Sequence, residues 1–143
     1  MSRQFEIEWP DFNVTVTVDL LDENPQICDD LWQALPINAI LMATASAGEL
    51  FKVPIPFTPS LVPEEKLEFL PDEPVGSVTS TDGAYLLMKY GTVVEPLRVP
   101  SIGIIREGEL EKLRSLATKL RDAFLFTKEI TVATLRRKKQ SAR

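Results

Sequence analysis

Phe5-Glu6-Ile7-Glu8-Trp9, then Pro10-Asp11-Phe12-Asn13, then Val14-Thr15-Val16-Thr17-Val18-Asp19-Leu20: this stretch, with the segment that follows it to Pro36, decides the fold. In both runs apolar residues alternate with polar ones, and a period of two gives a strand one buried and one wet face. Pro10, Asp11 and Asn13 are turn formers, so the runs are expected to fold back as a hairpin. Asn24-Pro25 then sets a capping residue before a proline, the pattern of a helix start. Ile27, Cys28, Leu31, Trp32 and Leu35 recur on one helical face and Pro36 ends the run, which predicts a helix over Pro25–Leu35.

Outward from this unit, Ile37 to Ser46 is apolar on both sides and reads as a strand through the core. Glu49 to Ile55 alternates again. Prolines and acids then crowd Pro56 to Pro74, which reads as a stiff surface excursion whose Phe57, Leu61, Leu67, Phe69 and Leu70 pack down. Val75–Thr81 and Ala84–Tyr90 flank Asp82-Gly83, a hairpin signal, and Gly91 is expected to break the second strand. One or two short strands fill Glu95 to Arg106. Leu110, Leu113, Leu116, Ala117, Leu120, Ala123 and Phe124 then fall three or four apart, which predicts a helix over Glu109–Phe124 with Lys112, Arg114, Lys119 and Arg121 off its apolar stripe. Lys128 to Leu135 reads as the last strand. The sum is a mainly β chain with two helices: an antiparallel barrel with a helix over each open end.

At 143 residues and 44% hydrophobic content the chain reads as one globular domain, residues 1–135, with a basic tail at 136–143. Five of the 16 basic residues, Arg136, Arg137, Lys138, Lys139 and Arg143, lie in that tail. The remaining 11 stand against 21 acidic residues, a body near −10 beside a tail of +5. An acidic body argues against nucleic acid as a partner. No apolar run reaches membrane-span length, and Met1 to Glu8 lacks the apolar core of a signal peptide, so a cytoplasmic protein without a membrane partner is expected. The single Cys28 sits on an apolar helix face and reads as a buried, inert thiol. Without histidine the chain offers no metal-ligand spacing, and Gly103 to Gly108 lacks the Lys-Ser/Thr of a phosphate loop, so neither metal nor cofactor is expected.

Three short motifs in order resemble the bacterial and archaeal branch of small cyclophilin-like proteins. They are Gly48-Glu49-Leu50-Phe51-Lys52-Val53-Pro54, the Tyr90-Gly91 pair, and Ile105-Arg106-Glu107-Gly108 leading into Leu110 and Leu113. The likeness spans about Phe5 to Leu135 and implies a cyclophilin-like barrel. The Phe-His-Arg and Gln-Gly-Gly runs of true cyclophilins are missing, since Leu41-Met42-Ala43-Thr44-Ala45-Ser46 stands in that place. No prolyl isomerase activity is therefore expected. The Asn-His pair common in the bacterial branch is replaced by Pro100-Ser101-Ile102-Gly103.

The resemblance implies an acidic residue at Glu49, which opens a strand beside a turn. With Leu50 and Phe51 next to it, a raised pKa would suit Glu49 to acid or base catalysis; the alternative is an exposed strand-end carboxylate. Tyr90 is the second catalytic candidate, against a half-buried barrel residue; Lys89 and Glu107 rank below it. Two functions follow. One is a non-catalytic accessory subunit of a heteromeric enzyme, which the resemblance extends to biotin-independent ATP-dependent carboxylases and hydantoin-cleaving enzymes. There, other protein subunits would dock on Arg136, Arg137, Lys138, Lys139 and Arg143. The alternative is a stand-alone, cofactor-free small-molecule enzyme like cucumopine synthase of the same branch, which condenses an amino acid with a keto acid, with Glu49 as the acid or base.

Overall fold

The computed structural model describes residues 3–57, 66–81 and 85–139. The expected Asp82-Gly83 turn, the acids Glu64 and Glu65, Leu61 and Arg143 lie outside the described residues. Strands β1 (Gln4–Trp9) and β2 (Val14–Leu20) pair antiparallel from Gln4↔Asp19 to Trp9↔Val14. A 3-10 turn at Pro10–Phe12 joins them, and Asn13 adopts the left-handed conformation (φ 53°) that asparagine tolerates. Phe5, Ile7, Trp9, Val16 and Val18 turn inward and are almost wholly buried.

Helix α1 covers Pro25–Ala34 and buries Ile27, Cys28 and Leu31 on the barrel, at about 1.5–3 kcal/mol for each large apolar side chain. Asn24 does not cap it through its side chain, contrary to the sequence pattern. The buried Asn24 amide instead donates from Nδ2 to the Ser101 carbonyl (3.0 Å) and accepts at Oδ1 from the Lys66 N–H (2.7 Å). It ties the helix start to two distant segments. Trp32 is half-buried, and the guanidinium groups of Arg3 and Arg137 each lie over its ring, 5.4 and 4.9 Å from the centroid.

The apolar run after Pro36 is not one core strand. It divides at Leu41 into β3 (Ile37–Ile40) and β4 (Met42–Ala43), and Asn38 and Ile40 are exposed. The remaining strands are β5 (Gly48–Pro54), β6 (Leu67–Phe69), β7 (Ser77–Thr81), β8 (Tyr85–Val93), β9 (Arg98–Ile105) and β10 (Val132–Arg137). Gly91 does not end β8, which runs through it to Val93. The sheet order is β3-β10-β1-β2-β9-β7-β8-β5-β4, with β6 added beside β9. The two ends of this path, β3 and β4, are consecutive pieces of one segment, so the sheet curls into a barrel whose seam is that segment. Closure of this kind leaves few open edges.

Helix α2 covers Glu107–Phe126 and packs Leu110, Leu113, Leu116, Ala117 and Leu120 into the same core as the inward strand residues, with Ala123 also buried. The Thr17 N–H donates to Glu109 Oε2 (3.0 Å), fixing the first turn of α2 to β2. A second, smaller core lies on the outer face, where Leu50, Leu70, Leu87, Val93 and Val99 pack together. Of the excursion, Leu70 is buried there, whereas Leu67 is exposed. No helix among the described residues is long and apolar enough to cross a membrane.

The last strand begins four residues later than the sequence pattern implies and continues through Arg137. Arg136 and Arg137 therefore belong to the barrel, opposite Glu6 and Phe5 of β1. Arg136 bonds Glu8 (2.8 Å) and lies 3.4 Å from Glu6. Arg137 donates from Nε and an Nη to the Trp32 carbonyl (3.1 and 2.9 Å). Both side chains are engaged within their own chain, Arg136 half-buried and Arg137 exposed. Lys138 and Lys139, the expected docking residues that follow, are exposed as well.

Candidate functional site

A cavity of about 730 Å³ opens between the outer flank of α2 and the neighbouring ends of β5 and β8. Glu49 lies at its rim for a local reason. The β5–β8 pairing slips between Gly48↔Val93 and Leu50↔Lys89, so three residues of β8, Tyr90, Gly91 and Thr92, stand opposite Glu49 alone. Such a bulge bends the strand that carries it, here β8 in front of Glu49. Gly48, at φ 117°, permits the bend, and a side chain there would collide with the Thr92 carbonyl.

The Glu49 carboxylate folds across Gly91 and accepts the Thr92 N–H at Oε1 (3.0 Å). The apolar surroundings expected for it are absent: Leu50 turns to the outer core, Phe51 turns to the inner one, and Glu49 itself is exposed.

Tyr90 lines the same cavity and is 5% exposed, its ring stacked on Phe51 with centroids 4.3 Å apart. Burial first, then the negative charge of Glu49, push its phenol above the ordinary tyrosine range, while Arg121 acts the other way. Both charges thus act on the Tyr90 hydroxyl. The two residues singled out from the sequence, 41 positions apart, line one cavity.

Helix α2 supplies the opposite wall with Arg114, Thr118 and Arg121. Spacings of four and three place them along one side of the helix. Arg114 is partly engaged: Nε donates to the Tyr90 carbonyl (3.4 Å), and the guanidinium meets Glu111 (3.3 Å). Arg121 has no ion pair among the described residues, and its guanidinium is the available cation of the cavity. The helical pattern sets both arginines on the solvated side of α2, and their spacing of seven residues is the signal that they share a wall. Val75, Ala45 and Ala117 add small apolar surface.

The weaker candidates lie elsewhere. Glu107 is exposed in the first turn of α2. Lys89 points to the outer core, where Nζ donates to the carbonyls of Leu70 (3.1 Å), Pro71 (2.9 Å) and Glu73 (2.7 Å). Burial lowers its pKa, opposed by Glu73 and Asp72. Cys28 is buried, its thiol pushed up to about 11 by burial.

The cavity holds the parts of an acid–base site for a charged small molecule: one carboxylate held by the Thr92 N–H opposite a bulge, one buried phenol, one guanidinium without an ion pair among the described residues, and a patch of small apolar side chains. No family model matches the chain, and no curated protein sequence does. Among solved structures it is similar to McbB, described in complex with tryptophan, with a TM-score of 0.88 and 26% sequence identity. The match covers 97% of this chain and 46% of McbB, so the chain spans less than half of that protein's length. The barrel of this chain is related in fold to that part of McbB.

Proposed function

We propose that this chain is a cyclophilin-like barrel that binds an amino acid or a close analogue in the cavity between β5, β8 and α2 and performs proton transfer on it. The observation that carries the reading is the Glu49 carboxylate, held by the Thr92 N–H of the β8 bulge opposite it, in a cavity that also presents Arg121, which has no ion pair among the described residues. An α-amino acid is a zwitterion. Its carboxylate suits Arg121 as a charge-assisted partner, and its ammonium suits Glu49. Its side chain would rest on Val75, Ala45 and Ala117. The tryptophan held by McbB supports this ligand class.

Glu49 is suited to accept one ammonium proton, leaving a neutral amine as a nucleophile toward a carbonyl compound; condensation would then release water. Tyr90 is placed to donate or retrieve a proton at the same cavity. Titration calorimetry with the twenty amino acids tests the reading. Binding should appear for one class of side chain and weaken by about tenfold or more in Arg121→Gln and in Glu49→Gln. Absence of heat for every amino acid at millimolar concentration would end it.

The accessory-subunit reading is second. Its support is the pair of exposed basic side chains Lys138 and Lys139 that leave the barrel after β10. The mass of the native complex, isolated with its natural partners, separates the two.

A further inference from the structure

Seven large apolar side chains are exposed among the described residues, and five of them, Ile40, Phe124, Phe126, Ile130 and Val132, come from adjacent segments on one side of the barrel: the end of α2, the connection after it, and the paired β3 and β10. Val132 and Ile40 are direct cross-strand partners. Phe126 and Ile130 are the most exposed, at 73% and 64%. Three of the five, Ile40, Phe124 and Ile130, wall a groove of about 320 Å³ together with Met42. Scattered exposed apolar residues are ordinary, but a contiguous set of this kind marks a contact surface.

We infer that this face joins two copies of the chain about a two-fold axis. A two-fold contact needs a patch complementary to itself, and this one carries both halves of such a fit. Phe126 and Val132 stand outside the groove, which would receive their counterparts from the second copy. The same groove is rimmed by Lys128 and Glu129, opposite charges at adjacent positions, both exposed, with no ion pair among the described residues. In a two-fold arrangement Lys128 of each copy meets Glu129 of the other, and the rim is neutral although the body is acidic. Phe124 lies three residues beyond Arg121 on α2, one turn along the same side. The second copy would therefore stand beside the mouth of the cavity rather than at the far end of the barrel.

Equilibrium sedimentation of the full chain over a micromolar concentration series, with circular dichroism to verify folding, tests the inference. The wild-type chain should be dimeric. Phe126→Glu and Ile130→Glu, both at exposed positions, should each weaken dimerisation by at least about 30-fold and leave the spectrum unchanged. Lys128→Glu and Glu129→Lys should each weaken it, and the two together should restore it. A wild-type chain that is monomeric throughout overturns the inference and leaves the face to a different protein. A dimer indifferent to both glutamate substitutions overturns it equally, because the contact then lies elsewhere. None of these outcomes depends on ligand binding in the cavity.

Discussion

The Glu49 carboxylate occupies the space that a side chain at Gly91 would need: a Cβ built there overlaps Oε1, Cδ and Oε2. Glycine on β8 is thus what lets a residue on β5 lie flat across the neighbouring strand and reach the Thr92 N–H. Gly91→Ala should displace the carboxylate without unfolding the barrel, because the obstacle is the end of a flexible side chain rather than backbone. If the proposed proton transfer is the chain's activity, it should fall by about 10²-fold, close to the effect of Glu49→Gln, with a melting temperature near wild type. Unchanged turnover in Gly91→Ala would show that the position of Glu49 does not matter to the chemistry.

The buried ammonium of Lys89 satisfies three carbonyls of the Leu70–Glu73 segment. Lys89→Met keeps most of the stem's packing but leaves those acceptors without a donor. A loss of about 2–4 kcal/mol is expected in urea denaturation. Hydrogen exchange should accelerate first at the Leu70 amide, which donates to Leu97 across the same flap. Uniform acceleration over the whole barrel would argue against a local clamp.

Cys28 gives a pH signature. Its folded pKa of about 11 lies above the ordinary 9.0 because burial disfavours the thiolate. A raised folded pKa means that the thiol's contribution to stability is complete below pH 9 and disappears as pH rises through 11. Tyr90, also raised by burial, acts with the same sign above pH 10. Thermal stability should therefore fall through this window, and the fall should be shallower in Cys28→Ala. An identical slope in the two proteins would assign the effect to other groups.

Two truncations separate barrel from tail. Removing residues 138–143 deletes the Lys138 N–H bond to the Gln4 carbonyl and should cost about 1 kcal/mol or less. Removing residues 136–143 also deletes two residues of the β1–β10 ladder, the Arg136 pairs with Glu6 and Glu8, and the Arg137 contacts with Trp32. About 2–4 kcal/mol should be lost. Equal stability of the two truncations, measured by urea denaturation, would mean that the end of β10 contributes nothing.

Local pattern carried much of the fold. Alternation in Phe5–Leu20 gave the hairpin with its buried set, and leucine spacing gave α2 to within two residues at each end. What it missed depends on partners remote in sequence. An apolar run such as Ile37–Ser46 does not say that it changes neighbours at Leu41. Phe124 fits the apolar stripe of α2, yet it remains 40% exposed. Arg136 looks like tail because its charge breaks the strand pattern; the carboxylate that accounts for it is Glu8, 128 residues away. In the cavity, Glu49 and Tyr90 were visible as strand-end residues, but Arg114 and Arg121 looked like solvent charges because helical spacing does not reveal what lies opposite.

The seam at Leu41 bears on how the barrel is made by a ribosome. β10, the last strand to be synthesised, inserts between β1 and β3, two of the earliest. Until it emerges, the nascent sheet has two unsatisfied borders more than ninety residues upstream, each open to the wrong pairing. This barrel cannot lock progressively from its N-terminus. Its completion waits for Val132–Arg137 to leave the exit tunnel, and a pause before that point would hold the chain in its most aggregation-prone form.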